Sequence, residues 1–119
     1  MADRIELGRA GEDLAALYLA DRGWVIVDRN VRFSRDGELD IIASRGGVLA
    51  FVEVKTRRSR AFGIPAEAVT PTKQRRIRGL AQRYLAERRP RARSVRFDVI
   101  EVEPNARGAF LLRHLEDAF

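Results

Sequence analysis

The chain has 119 residues, a length that suits one domain with a hydrophobic core of its own. It contains no cysteine, which excludes disulfide bonds and thiolate zinc sites and fits a reducing cytoplasm. The net charge of +6 makes polyanions candidate partners. Because the sequence has no apolar run of membrane-spanning length and no signal-peptide pattern, we expect a soluble cytoplasmic protein with no membrane partner.

The first predicted element is a helix over residues 6–22, ended by Gly23. Its apolar stripe is expected to consist of Ala10, Leu14, Leu17 and Tyr18. Glu12 lies outside that stripe and shares a flank with Ala16 and Leu19. Helical spacing therefore places an acid at the edge of the helix face that is expected to be buried.

Three strands follow the helix and are predicted to form an antiparallel meander. They cover residues 24–33, 37–43 and 48–55. Gly46 and Gly47, between the second and third strands, fit a two-residue hairpin loop, because glycine adopts the positive φ angles that such loops require. In that hairpin Arg45 opposes Val48, which sets the register of the two strands.

Charged side chains lie inside these apolar strands, where burial is costly unless the charges pair or hold a cation. The register places Asp40 opposite Glu53, and Glu38 opposite Lys55. Two facing carboxylates destabilise a sheet unless something cationic lies between them, so a divalent metal is the first candidate. The alternative is a salt-bridge network without metal. For Glu38 we favour a structural pairing with Lys55.

The second half of the chain is predicted to contain one helix and two strands. After a loop through residues 62–65, Thr70 and Pro71 have the order of a helix N-cap and first helical residue. The apolar face of this helix comprises Ile77, Leu80, Ala81, Tyr84 and Leu85. Strands are expected over residues 95–103 and 110–115. The order αβββαββ predicts an α/β fold in which helices flank a mixed central sheet.

Lysine is rare among the basic residues of this chain. Of 23 lysine and arginine residues, only Lys55 and Lys73 are lysine. Because lysine carries a compact charge with a tunable pKa, a catalytic position can require lysine where a phosphate contact does not. Lys73 and Gln74 lie in the first turn of the second helix and are expected to point toward the sheet. His114, the only histidine, is expected to have a packing or surface role.

Three segments, taken in order, resemble a known enzyme superfamily. They are the helix with Gly8-x-x-Gly11-Glu12, the strand Gly37-Glu38-Leu39-Asp40, and the strand Phe51-Val52-Glu53-Val54-Lys55. Together they are similar to the PD-(D/E)XK restriction-endonuclease-like superfamily. Within it the chain most resembles the small bacterial YraN family, whose layout is similar to that of archaeal Holliday junction resolvases. Leu39 stands where the superfamily's name has proline, so the match depends more on the third strand.

This resemblance implies a nuclease site that uses Mg²⁺ or Mn²⁺. Asp40 and Glu53 would bind the metal with the backbone carbonyl of Val54, and Glu12 would contact the metal or its water. Lys55 would orient and help deprotonate the attacking water, or neutralise charge on the scissile phosphate. No organic cofactor is implied.

The resemblance also implies how DNA would be held. Lys73 or Gln74 would approach the phosphate, although ordinary first-turn polar residues are the alternative interpretation. The DNA backbone would be contacted by Arg57, Arg58, Arg60, Arg75 and Arg76. The implied function is metal-dependent hydrolysis of DNA, with branched or repair intermediates as candidate substrates. The alternative is a non-catalytic nucleic-acid-binding module that retains the nuclease fold. Resolvase-like relatives act as dimers, which leaves a homodimer open.

Overall fold

The computed structural model describes residues 4–57, 69–105 and 107–119. In this part of the chain the elements are α1 (Arg4–Asp21), β1 (Val25–Arg32), β2 (Glu38–Arg45), β3 (Val48–Thr56), α2 (Pro71–Arg88), β4 (Ser94–Pro104) and β5 (Phe110–Leu115). This is the predicted order αβββαββ, and each boundary predicted above lies within two residues of its observed position. The predicted loop over residues 62–65 lies outside the described residues. Neither of the two described helices has the length and apolar character needed to cross a bilayer.

The five strands form one mixed sheet in the order β1-β2-β3-β4-β5. All neighbours are antiparallel except β3 and β4, which are parallel because the chain passes through α2 between them. Gly46 and Gly47 have φ angles of 57° and 82°. Arg45 pairs with Val48 and Ile41 pairs with Val52, so the predicted two-residue hairpin is confirmed, and its register is confirmed between these two pairs.

The two helices cover opposite faces of the sheet. The α1 face of the core includes Ala15, Leu19, Trp24, Ile41, Val52, Ile100 and Val102. The α2 face includes Phe33, Ile42, Phe51, Ile77, Leu80, Tyr84 and Val99. A mixed sheet buried on both faces, with one helix on each, is a restriction-endonuclease-like α/β arrangement, and the predicted fold class is confirmed.

The buried face of α1 differs from the predicted stripe. Leu17 is 64% exposed, whereas Ala15 and Leu19 are fully buried. The physical reason is the close approach of the helix at Gly11, where a Cβ atom would overlap the side chain of Thr56 on β3. A helix that packs this closely turns small residues toward the sheet, which leaves the bulkier stripe at the margin of the contact.

The start of α2 is held by its N-cap. The Thr70 side chain accepts a hydrogen bond from the Lys73 N–H at 3.2 Å, and Pro71 occupies the first turn, as predicted. Ile77 and Leu80 then anchor the helix on the sheet. The cap and these contacts fix the position of the first turn, and therefore of Lys73, relative to the end of β3.

Candidate functional site

The strands β2 and β3 separate at one end of their ladder, where two acids lie. The last paired residues are Ile41 and Val52. Beyond this pair the Asp40 carboxylate accepts a hydrogen bond from the Val54 N–H at 2.9 Å, in place of a backbone acceptor. The side chains of Asp40 and Glu53 lie close enough for the charge of Asp40 to raise the pKa of Glu53.

An irregularity of β2 accompanies this separation. Leu39 belongs to the α2 side of the core with Ile42, although strict alternation would place it with Ile41 on the α1 side. On the neighbouring strand, Asn30 has a φ angle of 53°. Asp40 therefore lies where the strand changes face, which brings its carboxylate toward both helices.

A cleft of about 590 Å³ opens at this position. We call it the lysine cleft, and it is lined by Leu7, Gly8, Glu12, Asp40, Glu53, Val54, Lys55, Thr56 and Lys73. The lining comes from α1, the diverging ends of β2 and β3, and the first turn of α2. The structure thus brings together the four residues predicted as catalytic, and adds Lys73, the other lysine of the chain, to the same cleft.

The acids of the lysine cleft have perturbed ionisation. Burial raises the pKa of Glu53 to about 8, and the charge of Asp40 adds to the shift while Lys73 opposes it. Burial also raises the pKa of Asp40 above its ordinary value, although the Val54 N–H stabilises the carboxylate. For Glu12, burial and then the charge of Asp40 raise the pKa to about 7. Complete ionisation of these three acids at neutral pH therefore needs a compensating cation.

Three carboxylates present oxygens that fit one small cation. Glu12, Glu38 and Asp40 each offer an oxygen within 4.8 Å of the other two. The buried Oε1 of Glu12 has no hydrogen-bond partner in the described part of the chain, and Arg29 Nη2 lies 3.9 Å from it. Oxygen ligands suit Mg²⁺ and Mn²⁺, so these three residues fit the kind of metal that the resemblance implies. Asp40 is a predicted ligand and belongs to this group, whereas Glu53, the other predicted carboxylate ligand, does not.

Glu38 lies differently from our expectation. We favoured a structural pairing with Lys55, but the ladder between β2 and β3 ends before these two residues. The described residues show no ion pair between them, and Glu38 joins the acids instead. The useful sequence signal was the shared face of Glu38 and Asp40. The predicted pairing with Lys55 required the β2–β3 ladder to continue to the strand ends, and the ladder stops at Ile41 and Val52.

The two candidate supports on α2 are placed differently. Lys73 lines the lysine cleft, and its charge lowers the pKa of Glu53. Gln74 does not line this cleft, and its side-chain amide donates to the Val69 carbonyl at 3.1 Å. The geometry therefore favours Lys73 over Gln74 as the group that meets a ligand in the cleft.

The arginines predicted to hold DNA divide into three groups. Arg57 Nε lies 2.8 Å from Glu101 Oε2, an ion pair without hydrogen-bond geometry, and its side chain is only 12% exposed. This burial favours a role in joining β3 to β4 over the predicted DNA contact. Arg75 and Arg76 are exposed on α2. Arg58 and Arg60 lie outside the described residues.

Comparison with known proteins gives a family for this fold and cleft. The model of the uncharacterised protein family UPF0102 matches residues 11–102. The chain belongs to the UPF0102 (YraN) family. The matched UPF0102 segment contains Glu12, Glu53, Lys55 and Lys73, so the lysine cleft lies almost entirely within the region that defines the family match.

Individual UPF0102 relatives match nearly the whole chain. A UPF0102 protein of Symbiobacterium thermophilum is 53% identical over 113 residues, which is 95% of each chain. One from Rhodococcus opacus is 51% identical over 119 residues, which covers 100% of both chains. One from Dictyoglomus thermophilum is 44% identical over 106 residues, or 89% of each.

Proposed function

We propose that this UPF0102 protein is a metal-dependent endonuclease that hydrolyses phosphodiester bonds in DNA. The observation that carries the proposal is the lining of one cleft by three acids, Glu12, Asp40 and Glu53, and by both lysines of the chain. The other 21 of the 23 lysine and arginine residues are arginine. Both lysines of the chain therefore line the cleft that contains the candidate metal ligands.

The acids would hold the metal. Asp40 and Glu53 are the predicted ligands, together with the Val54 carbonyl, and Glu12 and Glu38 present oxygens to the same region. A bound Mg²⁺ or Mn²⁺ would polarise the scissile phosphate and lower the pKa of a bound water. The raised pKa values of Glu12 and Glu53 support this role, since a divalent cation offsets the repulsion among their charges.

The lysines would act on the water and the phosphate. Lys55 shares a strand face with Glu53, from which its ammonium can orient the attacking water or stabilise charge that develops on the phosphate. Lys73 approaches from the capped first turn of α2 and would bind a phosphate oxygen.

Exposed arginines and the net charge of +6 supply attraction for DNA without reading its sequence. Arg75 and Arg76 are the described candidates for contacts with the DNA backbone. The resemblance to resolvases makes branched or repair intermediates the first substrates to test. A homodimer would present two clefts to the two strands of such a substrate.

The decisive experiment is cleavage of linear, flapped and four-way-junction DNA with Mn²⁺. We expect cleavage by the wild type, and a loss of about 100-fold or more in Lys55→Ala. Lys55→Arg keeps the charge but not the compact, titratable ammonium, so we expect a loss there too. Equal rates in wild type and Lys55→Ala would indicate a contaminating nuclease. Binding of DNA without cleavage of any substrate would favour the non-catalytic binding module.

A further inference from the structure

Gly8 is a helical glycine that neither packing nor backbone geometry explains. It lies within α1 with an ordinary helical backbone, where glycine is less favourable than alanine. A Cβ atom placed on Gly8 would meet no described atom within 4 Å. Gly11, one turn later, is different, because a Cβ there would overlap Thr56. The close packing of α1 therefore requires Gly11 but not Gly8.

Two clefts meet at Gly8. One is the lysine cleft, and the other is a neighbouring cleft of about 820 Å³, which we call the Arg29 cleft. The Arg29 cleft is lined by Gly8, Arg9, Glu12, Asp13, Arg29, Asn30 and Glu38. Gly8 and Glu12 line both clefts, so the surface is continuous from one to the other across α1.

The Arg29 cleft offers donors that suit a phosphate. Arg9 is exposed, and Arg29 is held in place by Asp13, whose Oδ1 lies 2.8 Å from Arg29 Nη2. The Nε of Arg29 is buried and has no hydrogen-bond partner in the described part of the chain. Asp13 and Arg29 neutralise each other, while Glu12 and Glu38 belong to the candidate metal group. Arg9 therefore supplies the positive charge for an anion, and Arg29 supplies further N–H donors.

We propose that one strand of the DNA crosses α1 at Gly8, from the lysine cleft into the Arg29 cleft. Arg9 and Arg29 then bind the phosphate adjacent to the scissile one. Glycine allows this path because the absence of a Cβ lets a ligand backbone approach the helix closely. The inference rests on the proposed nuclease function, to which it adds the path of the substrate and a residue that keeps the path open.

The test compares Gly8→Leu with Gly79→Leu. Gly79 lies on the exposed surface of α2, and a Cβ there also meets no described atom within 4 Å, so it is a matched control for helix propensity. Binding of labelled single-stranded and duplex DNA is measured by anisotropy with Ca²⁺, a hard cation that also prefers oxygen ligands. Melting temperature and its shift with Mn²⁺ are measured on the same samples.

We expect Gly8→Leu to weaken DNA binding at least tenfold, Gly8→Ala to weaken it less, and Gly79→Leu to bind within twofold of wild type. The Mn²⁺-induced shift in melting temperature should be unchanged in all three, because the carboxylates are untouched. Wild-type affinity in Gly8→Leu would overturn the proposed path, as would a wild-type protein that binds no DNA.

If Gly8→Leu does not fold, Arg9→Gln tests the proposed path instead. Arg9 is exposed, so this substitution is expected to leave the fold intact. A loss of about threefold or more in DNA affinity supports the path, and unchanged affinity overturns it. The outcome is separable from that of the proposed function. A wild type that binds DNA with this dependence on Gly8 and Arg9, but cleaves nothing, would refute the nuclease and leave the strand path standing.

Discussion

Two groups of acids on the same sheet have opposite surroundings. Asp98 on β4 is fully buried, yet Arg96 donates to it twice, at 2.8 and 2.9 Å. His114 Nε2 lies 2.7 Å from the same carboxylate, and the Asp117 N–H donates at 3.0 Å. In the lysine cleft, by contrast, Asp40 receives one described backbone hydrogen bond and faces a second acid.

The pKa values of the two groups of acids shift in opposite directions because their hydrogen-bond partners differ. Burial alone would raise the pKa of Asp98, but the hydrogen bonds from His114 and Arg96 outweigh it and lower that pKa. Burial raises the pKa of Glu53 and of Glu12, and the neighbouring Asp40 charge adds to both shifts. Burial of an acid is therefore not a sign of function by itself. What distinguishes a candidate metal site is a buried acid that the protein leaves without enough donors.

The Asp98 group has a clear structural use. The Tyr18 hydroxyl lies 3.2 Å from His114 Nδ1, so the neutral tautomer with its proton on Nε2 satisfies both contacts. Tyr18 belongs to α1 and His114 to β5, while Arg96 and Asp98 lie on β4. The network therefore ties one helix and two neighbouring strands together. Of the packing and surface roles expected for His114, the structure favours packing, because its side chain is only 7% exposed.

The sharpest test of this contrast is to neutralise one acid in each group. Asp98→Asn leaves Arg96 without its buried counter-charge, so we expect a loss of about 3–5 kcal/mol in the free energy of unfolding. Asp40→Asn removes a repelled charge, so without metal it should cost little or be stabilising. Urea unfolding at pH 7.5 measures both. Equal losses in the free energy of unfolding of the two variants would show that the two groups of acids do not differ in how well the protein stabilises their charges.

Divalent metal should affect only the lysine cleft. We expect millimolar Mn²⁺ to stabilise the wild type by about 1–3 kcal/mol, because an ion that binds only the folded state shifts unfolding by mass action. A gain of this size should raise the melting temperature by several degrees in a protein of this length.

Asp40→Asn should abolish the metal-induced shift. The control is Asp36→Asn, since Asp36 is an exposed acid that pairs with Arg83 at 2.7 Å. An unchanged wild-type melting curve with Mn²⁺ would count heavily against a metal site.

The dependence of stability on pH should have opposite signs for the two groups. The folded-state pKa of Glu53, about 8, lies above its ordinary value of 4.5, so the folded protein binds more protons between these values. Without metal, this site should therefore reduce stability as pH rises through that window, and Glu53→Gln should flatten the slope. Asp98 has a lowered pKa, so its contribution is lost only as pH falls through the acidic range. Unfolding titrations from pH 3 to pH 9 follow both effects.

The smallest expected effect lies at the edge of the Asp98 network. Tyr18→Phe removes the hydroxyl that meets His114 but keeps the ring that packs edge-on against it. We expect a loss of about 0.5–1.5 kcal/mol in stability, the usual net contribution of one hydrogen bond. Its Mn²⁺ shift should equal that of the wild type. A smaller Mn²⁺-induced shift in melting temperature in Tyr18→Phe would contradict the contrast, because it would show that the Asp98 network and the lysine cleft are energetically coupled.

Local signals in the sequence determined the elements and one register. The Gly46-Gly47 pair predicted the hairpin, and Thr70 with Pro71 predicted the start of α2. These signals are readable because turn geometry and helix capping depend on a few adjacent residues. The same local order placed Asp40 near Glu53, so much of the candidate site could be predicted before the fold was known.

Contacts between distant elements were decided only by the tertiary structure. The close approach at Gly11 turned α1 so that Leu17 is exposed, and the early end of the β2–β3 ladder moved Glu38 to the acids. Likewise, the partner of Arg57 lies on β4, far along the chain. The sequence by itself determined which residue types are available and their local geometry. Whether a buried charge finds donors depends on residues brought together from separate elements, and that balance separates Asp98 from the lysine cleft.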